Sequence, residues 1–279
     1  FRELASWNGN GDWSEADRTS RDIFVHTMDL SADGSRTYLA HWGGGMVVLD
    51  TSDLAENLPN PEIRRLTPPE NAPIWPNVSA HAVDKIFGRP LVLVGDEVYG
   101  TYSQGVVPFF DKEIQGCPWG WVHVIDVSDD THPVLTGEYK IDENTAAFCQ
   151  TAAAREPRSS FSAHNMLAIR KVAIVTWYSG GVQAIDLAEP TTPTTGGFFV
   201  PDPLPSVATE DPATSAGIHK VVMWSFPIVR KGIIYVADVR NGVYVLRYTG
   251  PHAKEIRRLR LLEPNSNVGS AMRPSVDHP

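Results

Sequence analysis

The stretch "GGMVVLDTSD" at Gly44–Asp53 returns as "GWVHVIDVSD" at Gly120–Asp129, as "GGVQAIDLAE" at Gly180–Glu189 and as "NGVYVLRYTG" at Asn241–Gly250. Self-similarity over tens of residues marks a chain built from repeated supersecondary units, each unable to bury its apolar surface alone. Asp50, Asp126 and Asp186 hold one register, and Arg247 takes that place in the last copy. Copies two to four lie about sixty residues apart, and the first gap is longer. Pro133 and Pro193 open a further strand-like stretch after the Asp, as Pro61 does after a longer loop.

Each motif is preceded by a second apolar run, "TYLAHW", "LVLVGDE", "AIVTWY" or "IIYVADV". Before that comes a third, beginning "VHTMDLS", "AHAVDKI", "AHNMLAI" or "MWSFPIV". Every unit therefore reads as four short strands, with 22 Gly and 22 Pro punctuating the links and helical periodicity nearly absent. The runs are apolar at successive positions rather than alternating. Strands buried on both faces have that pattern, whereas a β-sandwich predicts stricter alternation. The fold class expected is all-β, a β-propeller with four recognisable four-stranded blades. It is either a small propeller or the C-terminal part of a larger one. Residues 1–25 are set apart as an N-terminal segment, in which "RELASWN" reads as the last strand of an earlier blade. Residues 26–279 carry the blades, with long insertions at 98–119, 141–163 and 201–219.

Composition narrows the function. A chain of 279 residues with 42% hydrophobic content can bury a large core. A net charge of −9 argues against a nucleic-acid partner, and the Arg257, Arg258 and Arg260 group reads as a solvated edge in an apparent strand. No apolar run reaches the ~20 residues that span a bilayer. Cys117 and Cys149 are either two buried thiols or one bridge. The bridge is preferred because both fall on long loops of one rim.

The units "GGMVVLDTSD", "GWVHVIDVSD" and "GGVQAIDLAEPTTP" resemble the LVIVD-repeat propellers, a largely bacterial family. The resemblance implies an exported protein, secreted, periplasmic or at the cell surface, and leaves the substrate open. A more distant similarity is to the selenium-binding protein and methanethiol oxidase propellers, whose histidines are associated with a metal; no motif of theirs matches here residue by residue.

In a propeller the first strand of each blade lines the axis and the second returns to the rim where the first began. That topology sets His26, His81 and His164 at equivalent levels, with Trp224 in the fourth place. The ends of the second strands add His41, Glu97, Trp177 and Asp238. Three imidazoles at one level suit Zn, Cu, Fe or Ni, with Glu97 or water completing the shell. The competing reading is a solvated channel lining. The leading expectation is thus a ligand- or metal-binding site at this mouth, with His41, Trp177, Trp224 and Asp238 as ligand contacts. The alternatives are a metal-dependent, oxidoreductase-like enzyme with Glu97 or Asp96 as acid–base group, and a structural propeller that assembles with itself. Asp29 and Asp84 read as backbone or blade-to-blade contacts, Asp50, Asp126 and Asp186 as turn residues, and His123 as a satisfied core histidine. Gly43–Gly45 reads as a hairpin turn.

Overall fold

The computed structural model describes residues 1–9, 11–15, 23–76, 78–98, 117–156, 160–210, 215, 220–259 and 261–262. The expected insertion at 98–119 therefore lies mostly outside the described residues. Four antiparallel sheets of four strands follow one another along the chain. The first holds β1 (Thr27–Leu30), β2 (Arg36–Ala40), β3 (Met46–Asp50) and β4 (Arg64–Arg65) in that order. The second holds β5 (Ala80–Lys85), β6 (Leu91–Asp96), β7 (Val122–Asp126) and β8 (Val134–Tyr139). The third holds β9 (Met166–Ala168), β10 (Val172–Thr176), β11 (Val182–Asp186) and β12 (Thr194–Phe199).

The fourth sheet departs from the pattern. Its strands β13 (Ile228–Arg230), β14 (Ile233–Asp238) and β15 (Gly242–Leu246) follow the expected order, but β16 (Leu261–Leu262) pairs with β13 and leaves β15 as an edge. Arg257 closes a short helix, Ala253–Arg257, rather than sitting in a strand. Residues 1–9 form no strand either; Trp7 packs near Leu39, Val47 and Leu49 on the outer face of the first sheet.

Continuous apolar runs are explained by burial on both sides. Val92 and Val94 of β6 pack with Tyr38, Met46 and Val48 of the first sheet. The alternate residues Leu91 and Leu93 pack with Ala173, Val175 and Ile185 of the third. Likewise Val172 and Ile174 of β10 meet Val229, Ile234 and Val236 of the fourth. A strand has a side-chain period of two, so each run supplies one apolar row to each neighbour. Burying each such side chain contributes about 1.5–3 kcal/mol. Among the described residues the sheets stack as a propeller-like series and do not close into a ring.

Polar ties hold the steps in register. Asp29 Oδ2 accepts from the Lys85 N–H (2.7 Å), and Asp84 Oδ2 accepts from the Ala168 N–H (2.7 Å), each crossing to the next sheet. Asp50, Asp126 and Asp186 each accept from the N–H two residues on, Ser52, Ser128 and Ala188, as turn-forming aspartates do. The Gly43–Gly45 segment is a hairpin turn. Gly45 has φ +75°, and a Cβ there would stand 2.1 Å from the Pro73 carbonyl oxygen. A Cys117–Cys149 disulfide joins the segment after β6 to the 141–163 insertion and packs with Trp119, Phe148 and Phe161.

Asp84→Ala is expected to lower unfolding free energy by about 1–3 kcal/mol, because it leaves the buried Ala168 N–H unpaired. Asp129→Ala, at an exposed turn, should change it much less. Urea denaturation measures both, and equal effects would refute the cross-sheet role. Reducing the bridge, which closes a separation of 32 residues, should cost about 3–4 kcal/mol in the same assay.

Candidate metal centre at the inner strand ends

His26 stands just before β1, His81 lies at the start of β5, and His164 precedes β9. Stacking the sheets brings these distant residues into one row. The His26 and His81 ring centroids are 4.1 Å apart, and those of His81 and His164 are 4.4 Å apart. His81 and His164 are buried, whereas His26 is exposed.

The backbone of each neighbouring sheet orients the rings. His26 Nδ1–H donates to the His81 carbonyl (3.0 Å), and His164 Nδ1–H donates to the Trp224 carbonyl (2.6 Å). The Asn165 Nδ2 amide also stands 2.9 Å from His164 Nδ1 and donates to the same Trp224 carbonyl at 2.8 Å, so this ring is held from two sides. Glu97, one residue past β6, reaches into the row. Its Oε2 lies 3.3 Å from His81 Nε2, and its Oε1 lies 3.5 Å from His164 Nε2. The Tyr178 phenol donates a short hydrogen bond to Glu97 Oε1. One ligand atom each of His26, His81 and Glu97 lie within 4.8 Å of one another.

Burial, followed by the nearby His26, pushes His81 down to about 3; the His164 carbonyl opposes this. Burial, followed by His81, pushes His164 down to about 3 against the pull of Glu97 and the Trp224 carbonyl. Both rings are neutral at pH 7. Glu97 therefore faces neutral imidazoles rather than imidazolium charge.

Three of the four expected second-strand contacts lie elsewhere, and only Glu97 reaches the histidine row. His41 turns to the outer face of the first sheet, against Trp7 and Trp13. Trp177 is buried in the core between the second and third sheets, its Nε1 donating to the Phe161 carbonyl. Asp238 accepts from the Val222, Arg240 and Asn241 N–H groups and shapes a turn. The residues one position further, Trp42, Glu97 and Tyr178, each face the histidine of their own unit, and Glu97 also reaches that of the next. Trp42 lies 5.4 Å from the His26 ring, and Tyr178 lies 4.8 Å from His164. Trp224 stands where the sequence set it, 4.5 Å from the His164 ring. The signal for Trp42 and Tyr178 was the shared turn that follows them, seen in His41 N–H to Gly45 and Trp177 N–H to Gly181.

Asp96 faces away from Glu97, as alternation requires. It accepts from the Ser79 N–H (2.9 Å), Trp75 Nε1 (2.7 Å) and His123 Nε2 (2.8 Å). His123 also faces Glu138 at 3.3 Å. Burial opposes its charge, but hydrogen bonds with Asp96 and Glu138 outweigh this and raise its pKa. That partner in turn lowers Glu138 to about 2. His123 is thus a paired core histidine, and Asp96 is fully engaged in holding β6.

Four stacked four-stranded sheets with this inward row define a propeller-like repeat protein. The LVIVD repeat pattern matches residues 26–57 and 119–141, so the chain carries LVIVD repeats in its first two sheets. No curated protein sequence matches the chain. Among solved structures, the computationally designed Ika4 protein is similar at 11% identity and TM-score 0.46, over 89% of this chain and 99% of its own. The Cps50 (Swd1) β-propeller domain of Myceliophteria thermophila gives 7% identity and TM-score 0.44, over 88% and 59%. A hypothetical selenium-binding protein from Sulfolobus tokodaii gives 10% and 0.33, over 80% and 65%.

The two neutral buried imidazoles fix an acid sensitivity. Unfolded histidines bind protons near pH 6.5, but His81 and His164 resist them down to about pH 3, so the unfolded state gains protons first as pH falls. Stability should drop below pH 6.5 by up to about 1.4 kcal/mol per pH unit for each ring. Urea midpoints between pH 7 and pH 4 read this. A His81→Asn, His164→Asn double variant should show a flatter slope, and an unchanged slope would exclude these residues as its source.

Proposed function

We propose that the chain binds a divalent first-row transition ion, of the Zn, Cu, Fe or Ni group, through His26, His81 and Glu97. The observation that supports this most is the orientation of the rings. Backbone carbonyls take Nδ1 of His26 and His164, and the Nε2 atoms of His81 and His164 lie 3.3 Å and 3.5 Å from the one carboxylate. A carbonyl on the remote nitrogen is the usual second partner of a metal-bound histidine. Two imidazoles and a carboxylate match the donor set of open zinc and non-haem iron sites. His164, across Glu97 from His81, would orient that carboxylate or enter as a fourth ligand. The Cys117–Cys149 bridge favours an oxidising compartment and supports the reading of an exported protein.

Zinc titration followed by calorimetry should give one site per chain. His81→Ala and Glu97→Gln should each weaken it by about 100-fold or more, judged by the usual effect of losing one ligand or its partner. His132→Ala, an exposed residue, should leave it unchanged. Failure of the wild type to take up any of the four ions after chelation and reconstitution would end the proposal.

A second reading, self-assembly, is favoured by the outer face of the fourth sheet. Ile228, Tyr235, Val243 and Val245 form an apolar face there, with Val243 70% exposed. Sedimentation across a concentration series decides it: a strict monomer would exclude assembly through this face.

A further inference from the structure

We infer that the ion held by His26, His81 and Glu97 recruits a small monoanionic organic ligand, a carboxylate on a flat apolar body, on its solvent side. This rests on the metal reading above. The first argument is charge. A divalent ion with one carboxylate and neutral imidazoles keeps one positive charge. Among the described residues no second carboxylate joins these imidazoles, since Asp96 is turned onto Ser79, Trp75 and His123. In a partly desolvated site that charge draws one anionic donor atom far more strongly than in water.

The second argument is access. Three protein ligands leave coordination positions free for an exogenous donor. His81, His164 and Tyr178 are buried and close the inner side, whereas His26 is exposed. An incoming ligand therefore reaches the ion past His26.

The third argument is the rim. Phe24 and Trp42 stack at 5.2 Å with their planes 15° apart, and their rings lie 6.3 Å and 5.4 Å from His26. Phe24 is 38% exposed. A single exposed Phe means nothing by itself. Here it extends an aromatic platform beside the one solvent-facing ligand. A carboxylate on the ion would lay its attached apolar group along that platform, where aromatic contact adds specificity. A cationic ligand is repelled by the ion, and a neutral amide of the same shape lacks the charge.

Calorimetry on zinc-loaded and zinc-free protein, with azide, acetate, benzoate, benzamide and benzylammonium as probes, tests this. Azide, acetate and benzoate should bind only the zinc-loaded form. Benzoate should bind about tenfold tighter than acetate, and benzamide at least about tenfold weaker than benzoate, on the scale of one aromatic contact and one charge. Phe24→Ser should remove the benzoate advantage and leave azide within about twofold. The benzoate-to-acetate ratio in the wild type examines the platform without any substitution. Benzamide equal to benzoate, or benzoate binding without zinc, would overturn the inference. Zinc uptake with no anion binding defeats this inference alone, whereas no zinc uptake defeats the metal reading as well.

Discussion

A β-sheet that is apolar on both faces has to be covered twice, and this chain meets the requirement by laying each sheet on the next. The second and third sheets are sandwiched in this way, with alternate residues of β6 and β10 feeding different interfaces. Stacking is strong but non-directional. Directional bonds across each step fix how far one sheet slides over another. Asp29 and Asp84 grip the backbone of the following sheet, and His26 and His164 donate to carbonyls of the following unit. The candidate site is thus made of the same bonds that set the register of the stack.

Neighbouring acids on one strand show how packing separates roles. Asp96 and Glu97 differ by a single position, and the period of two sends them to opposite faces. Asp96 meets three donors, one of them a histidine that also faces Glu138 and whose pKa these two acids raise. Glu97 meets rings that burial keeps neutral. One acid is tied into the core, and the other is left among neutral rings with the Tyr178 phenol as its hydrogen-bond donor.

The two ends of the stack are finished differently. The outer face of the first sheet is covered by Trp7 and Trp13, which enclose His41. On the fourth sheet, β15 exposes Val243 and Val245 while Tyr244 and Leu246 pack inward. Its sequence, Val-Tyr-Val-Leu, resembles the interior strands. Whether a face is covered depends on a neighbour, and that information is not local.

The sequence alone determined the repeat, the strand count of three units, the turn aspartates, the cross-sheet aspartates and the shared level of His26, His81 and His164. Those features follow from hydrophobic periodicity and from residues recurring at fixed places in each unit. Only the tertiary structure decided that Trp42 and Tyr178, rather than His41 and Trp177, face the histidines, because a shift of one position turns a side chain to the other face and the strand end is not visible in composition. It also decided that β16 joins the inner edge of the fourth sheet, since strand pairing is chosen by packing and chain reach. The meeting of His81 and His164 at Glu97 likewise depends on how neighbouring sheets stack, which no single segment of the chain contains.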